Sequence, residues 1–216
     1  MKKIHYLSAA LMLALGMSGC SSAASVPSEE AAVSSVSEAE ESEAPEVNPA
    51  AEEEETETEK GILVVYFSAT GTTKGIAEKI ASVTGGNLYE ITAAEEYTEA
   101  DLNYNDSNSR TTHEQDDPSV RPEISSETIS LDGYSTVYIG YPIWWGEEPR
   151  IMDTFVESCS FDGITMIPFC TSGSSGIGRS GKNLADNAGS GNWLEGRRFD
   201  GGASEEEISS WISEIQ

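Results

Sequence analysis

The chain has 216 residues, with 38 acidic against 12 basic side chains and a formal net charge of −26. That length holds one medium domain and accessory segments. The charge argues against a nucleic-acid binder, whose affinity rests on Lys and Arg neutralising phosphates, and it suits either a basic protein partner reached by electrostatic steering or solubility alone.

Residues 1–19 come first. Two lysines precede an apolar stretch that is too short for a comfortable membrane span and has the form of an export signal. Met17-Ser18-Gly19-Cys20 resembles a bacterial lipobox, which implies cleavage before Cys20 and a lipid on that cysteine. Several acyl chains on one residue, at ~0.8 kcal/mol per buried methylene, make a stable anchor. Residues 20–60 are mostly Ser, Ala, Glu, Pro and Val, with no aromatic. Thirteen glutamates and no Lys or Arg lie between Ser21 and Glu59. Such a segment cannot bury a core, and its charges repel one another and extend it. The expectation is a disordered acidic linker between a lipid anchor and a domain over 61–216. The membrane contact is then the Cys20 lipid alone, at the extracytoplasmic face.

After Lys60 the pattern changes, although 25 acids against 9 bases still leave the domain at −16. GILVVYFS is a continuous apolar run rich in β-branched residues, as expected of a strand buried on both faces. TKGIAEKIASVTGG places Ile76, Ala77, Ile80 and Val83 at helical spacing and ends at Gly85-Gly86. NLYEIT is a second strand. A long polar segment over about 94–130 follows, with helix expected near 107–115. There Arg110 and Glu114 are spaced for an exposed helical ion pair, and His113 reads as a surface residue. STVYIGYPI is a third strand and RIMDTFVESC a helix. GITMIPFC is a fourth strand and GRSGKNLADNA a helix. NWLEGRRF is a weaker fifth strand, and SEEEISSWISEI closes as a helix with Ser204 as N-cap. Strands alternating with helices predict an α/β fold: a doubly wound parallel sheet with helices on both faces.

Three turns at strand ends carry the chemistry. Ser68-Ala69-Thr70-Gly71-Thr72-Thr73 joins the first strand to a helix N-terminus, where free N–H groups and a partial positive charge favour phosphate. A plain capped turn has the same composition. The run looks like the S/T-x-T-G-x-T phosphate loop of the flavodoxin family, in which hydroxyls and amides hold the phosphate of FMN. The resemblance covers about 61–216 and implies a five-stranded sheet of order 2-1-3-4-5. The second turn, Pro142-Ile143-Trp144-Trp145-Gly146, is similar to the family loop that flanks the flavin ring. By that resemblance Trp144 or Trp145 packs near the ring and Gly146 lies near flavin N5. Two adjacent tryptophans in a loop also fit packing on helices, or a protein partner. Glu147 and Glu148 depart from a neutral loop. A carboxylate ~8 Å from the ring at an effective dielectric of ~20 disfavours an anionic reduced flavin by roughly 2 kcal/mol. Two solvated helix-start acids are the other reading. The third turn, Cys170 to Gly178, resembles the second flavin-contacting loop, with Thr171, Ser172, Gly173 and Gly178 carried over.

Gly176-Ile177-Gly178-Arg179-Ser180-Gly181 also matches G-x-G-x-x-G. Only about 40 residues follow it, too few for a dinucleotide fold built forward from there. Cys159 and Cys170 fall at opposite ends of the fourth strand, roughly 20 Å apart, and a disulfide needs Cα atoms within about 7 Å. Both read as free thiols. No metal constellation and no acid–base pair or nucleophile stands out. The resemblance therefore implies an FMN-binding electron carrier with an unidentified redox partner. A flavin-dependent NAD(P)H or quinone reductase on the same fold, or a flavin-free binding module, remain as alternatives.

Overall fold

The computed structural model describes residues 61–215. The expected export signal, the Cys20 lipid and the acidic linker lie outside the described residues. The elements are β1 (Gly61–Phe67), α1 (Thr72–Thr84), β2 (Asn87–Ile91), α2 (Arg110–Asp116), β3 (Tyr134–Pro142), α3 (Arg150–Glu157), β4 (Thr165–Thr171), α4 (Ser180–Ala188), β5 (Asn192–Trp193), β6 (Arg197–Phe199) and α5 (Glu205–Ile215).

All strand pairings are parallel, in the order β2-β1-β3-β4-β5, with β6 also on β4. Successive residues of a strand face opposite sides, so an unbroken apolar strand feeds two cores. Val65 and Phe67 of β1 pack with Ile139, Met152, Phe155 and Leu184 on the α3–α4 side. Val64 and Tyr66 pack with Ile76, Ile80, Tyr138 and Trp211 on the α1–α5 side. That double burial is why β1, β3 and β4 are continuous hydrophobic runs.

The expected fifth strand is two short pieces on the same edge of β4. Thr165 and Met166 pair with Asn192 and Trp193, and Phe169 to Thr171 pair with Arg197 to Phe199. Leu194 N–H donates to the Met166 carbonyl at 2.9 Å. Backbone groups alternate sides along a strand, so Pro168 turns the same way and has no N–H to offer there. The edge strand breaks opposite it. α5 starts as expected: the Ser204 Oγ accepts from the Glu207 N–H at 3.2 Å.

The expected pair of Arg110 and Glu114 forms at 2.7 Å, but it is not exposed. The Glu114 side chain is 7% accessible, and its other oxygen accepts from the Tyr97 hydroxyl at 2.9 Å. Arg110 lies over the Tyr97 ring, 4.1 Å from its centroid. The 94–130 segment folds back on α2, a tertiary contact that helical spacing does not encode. His113 is exposed, as expected.

Candidate functional site

A doubly wound sheet places its ligand beyond the carboxyl ends of the strands, where the strand order reverses. Here that point lies between β1 and β3. A cleft of about 360 Å³ opens there, and three loops supply most of its lining. Thr70 and Thr72 come from the loop after β1, Pro142, Ile143 and Trp144 from the end of β3, and Thr171, Ser172 and Gly173 from the end of β4. Eight of the expected site residues therefore meet in one cavity.

The others lie around it. Gly71 caps α1 with φ 83, a left-handed angle that favours glycine, and no side chain caps that helix. The first turn of α1 carries no acid, whereas that of α5 carries Glu205, Glu206 and Glu207. The positive end of α1 is thus left for an external anion. The Thr70 and Thr72 hydroxyls lie 3.3 Å apart on this rim. Ser68 Oγ is buried without a hydrogen-bond partner, which costs free energy unless a ligand supplies one. Ser68 borders a second depression of about 450 Å³, together with Glu90, Thr92 and Tyr97. That depression is larger, but Glu90 and Glu96 line it and repel an anion.

Thr73 has a different place. Its hydroxyl is buried and bonds the Thr171 hydroxyl at 2.8 Å. The two side chains tie the first loop to the third, rather than presenting free hydroxyls to the cleft.

The second loop is a tight hairpin turn. Trp144 and Glu147 exchange backbone hydrogen bonds of 2.9 and 3.0 Å. The residues between them, Trp145 and Gly146, have φ of 50° and 87°, as a type I′ turn demands. Trp145 is the one non-glycine with positive φ among the described residues. Trp144 is 3% exposed, whereas Trp145 is 41% exposed. Gly178 closes against this turn: a Cβ there would lie 3.5 Å from the Gly146 carbonyl oxygen. Trp145, Gly146 and Gly178 thus frame the cleft without lining it.

Glu147 and Glu148 do not face the cleft. Both line a separate polar pocket with Arg121, Arg150, Asp153 and Asn183. Glu147 pairs with Arg150 at 3.0 Å, and Glu148 is 1% exposed. Burial pushes the Glu148 carboxyl up to about 7, while its backbone N–H and the Asn183 amide pull the other way. Arg150 stands 3.9 Å from Glu148 and divides its charge with Glu147 and Asp153. Neither carboxylate lines the cleft, and Arg150 partly neutralises both, so their pull on a ring bound there is weaker than an unpaired acid facing it would give. Glu148 is not a solvated helix-start acid, because helix α4 covers it through Asn183, whereas the Glu147 side chain stays 46% exposed.

Sequence reasoning missed four residues of the cleft wall: Leu102, Tyr104, Asp200 and Gly201. Asp200-Gly201-Gly202 is a turn signal at the end of the fifth strand and could have been found. Leu102 and Tyr104 sit in the polar 94–130 segment, which has no periodicity to place them. Arg198 on β6 steadies the third loop. Its guanidinium donates to the Ser172 carbonyl and, at 3.3 Å, to the Ser172 hydroxyl. It also pairs with Asp200 at 3.4 Å, offsetting an acid near the anion-binding rim. The G-x-G-x-x-G run is split between the third loop and α4. Its neighbour Lys182 pairs with Asp186 at 2.7 Å rather than facing the cleft.

Both cysteines are free thiols, as expected. Burial pushes Cys170 up to about 12, far from thiolate character at neutral pH. Among the described residues no cluster of acids, histidines or cysteines could hold a metal ion, and no helix is long and apolar enough to cross a membrane.

The strand order and the convergent loops define a doubly wound α/β protein with a ligand cleft beyond the carboxyl ends of its strands. A model of the Flavodoxin family matches residues 61–215, and the chain belongs to that family. No curated protein matches it. A candidate flavoprotein of Bacteroides uniformis, known from its crystal structure, is 48% identical, with 71% of this chain and 97% of that one covered and a TM-score of 0.68. A second, from Bacteroides eggerthii, is 46% identical over 72% and 97% of the two chains, with a TM-score of 0.68. A flavoprotein of Lactobacillus acidophilus, solved in complex with FMN, is 24% identical over 71% and 99%, with a TM-score of 0.55, and shares the fold.

Proposed function

We propose that this protein binds FMN without a covalent bond and carries electrons at the outer face of a bacterial membrane, held there by a lipid on Cys20 and spaced from it by the linker over 20–60. The observation that carries the reading is the cleft itself. It joins an uncapped, acid-free helix N-terminus to an aromatic wall within one cavity of about 360 Å³, inside the ~300–1,000 Å³ range of small-molecule sites. FMN in this cleft supplies the reversible redox chemistry.

The chain's own residues supply position and electrostatics. The α1 N-terminus and the Thr70 and Thr72 hydroxyls take the phosphate. The backbone of Thr171, Ser172 and Gly173 meets the polar edge of the ring, and Pro142, Ile143 and Trp144 form its apolar side. The Thr73–Thr171 hydrogen bond and Arg198 hold the loops at the spacing the ligand needs. The redox partner is a protein whose basic surface complements a domain of net charge −16.

The test is a titration of FMN with a chain beginning at Ser21, read by flavin fluorescence. Stoichiometric quenching that is lost in a Thr70→Val/Thr72→Val double variant supports the reading. A folded protein that leaves FMN emission unchanged refutes it. Labelling with radioactive palmitate that is lost in Cys20→Ala tests the anchor separately.

A further inference from the structure

The aromatic wall of the cleft is not where the double tryptophan suggests. Trp144 lines the cleft, yet it is 3% exposed. Phe67 packs against it edge-on with ring centroids 5.7 Å apart, and Tyr97 does so at 5.1 Å. Trp144 is thus built into the core and offers the cleft little more than an edge. The first loop has no aromatic residue, and neither does the third between Thr171 and Gly178. Tyr104 is the other ring on the cleft wall, and it is 56% exposed.

Tyr104 is backed by Trp145, with centroids 4.5 Å apart and planes tilted by 39°. Carbon atoms in contact sit ~3.5–4.0 Å apart, so a third ring between the two needs about 7 Å, and none fits. Tyr104 lines the cleft and Trp145 does not. The order of layers is therefore cleft, Tyr104, Trp145. Trp145 keeps a left-handed φ of 50° that glycine or asparagine tolerates better, and in that conformation its ring lies against Tyr104. Exposed large hydrophobics among the described residues are Leu88, Tyr104 and Trp145, and two of these three form this pair at the mouth of the cleft.

We propose that Tyr104 is the stacking face for the flat ring of the ligand, and that Trp145 is a positioning residue that holds Tyr104 against it. The proposal rests on the FMN reading above and adds to it a site residue from the β2–α2 segment. In this arrangement α1 fixes the phosphate end and Tyr104 covers the ring. The tyrosine hydroxyl has no part in it; the aromatic face is what matters.

The experiment titrates the full-length chain with FMN and, separately, with riboflavin, the same ring without the phosphate. Tyr104→Ala, Tyr104→Phe and Trp145→Gly are compared with the unchanged protein. Tyr104 is half exposed, so its removal leaves the fold intact. Tyr104→Ala is expected to weaken FMN and riboflavin by the same factor, about three- to tenfold for one lost stacking face, and to leave the bound flavin more fluorescent. Tyr104→Phe is expected to restore both. Trp145→Gly, which relieves the backbone, is expected to keep or raise Tm while weakening both ligands. A Tyr104→Ala protein that binds and quenches both ligands like the unchanged chain overturns the proposal, leaves the FMN reading standing, and makes the exposed pair a protein-docking feature. An unchanged chain that binds neither ligand overturns both readings, and that outcome shows in the first titration.

Discussion

Glu148 offers the sharpest test of the electrostatics behind the second loop. Its carboxyl is buried and pushed from 4.5 up to about 7, chiefly by burial. Between those values the folded protein keeps a proton that the unfolded chain has lost. This group therefore favours the fold most below about pH 4.5, and the benefit falls away as the pH rises to about 7. At ~1.4 kcal/mol per pH unit, the ionised carboxylate costs the fold about 3 kcal/mol above pH 7. Glu148→Gln removes that cost but exchanges a charge-assisted hydrogen bond from Asn183 for a neutral one. Arg150 is not stranded, because Glu147 at 3.0 Å and Asp153 at 3.5 Å still face it. The expected net gain is about 2 kcal/mol at pH 8, or a rise in Tm of roughly 5 °C for a domain of this size. At pH 4.5 the two proteins are expected to match. Urea denaturation of both across pH 4.5–8.5 measures this. A Glu148→Gln variant that is less stable at pH 8, or equally shifted at both ends, shows that Arg150 rather than burial governs this carboxylate.

Two further predictions concern the packing that positions the site. Thr73→Val strands the Thr171 hydroxyl in a buried setting and is expected to cost about 1–3 kcal/mol in urea unfolding; Thr73→Val/Thr171→Val is expected to cost less than the sum of the single changes, and additive losses count against a direct bond. Gly140→Ala sets a Cβ 2.1 Å from Cζ of the buried Phe169 ring, and overpacking of this kind costs about 3 kcal/mol. A loss below about 1 kcal/mol means that the ring can move, and partial recovery in Gly140→Ala/Phe169→Leu locates the clash.

Much of the fold was legible because its signals are local. β1, β3 and β4 are buried on both faces, so their side chains read as unbroken apolar runs whatever lies beyond them. Gly85 ends α1 at φ 69 and Ser204 opens α5, both through contacts within a few residues. The first loop was legible for the same reason: hydroxyls and a glycine before a helix form an anion site from neighbouring residues alone.

What depended on distant partners was not legible. The sequence by itself determined the alternation of strands and helices, the loop that can receive phosphate, and the presence of two tryptophans near it. Tertiary structure decided which tryptophan is core and which is rim. Phe67 and Tyr97, far away in sequence, wall in Trp144, and Tyr104 is brought to the cleft wall. It decided that Thr73 spends its hydroxyl on Thr171, 98 positions away. It also turned Glu148 inward beneath Asn183, where burial raises its affinity for a proton. Periodicity and motif spacing report the near neighbours of a residue along the chain. Burial, stacking and protonation are set by what the fold brings alongside it.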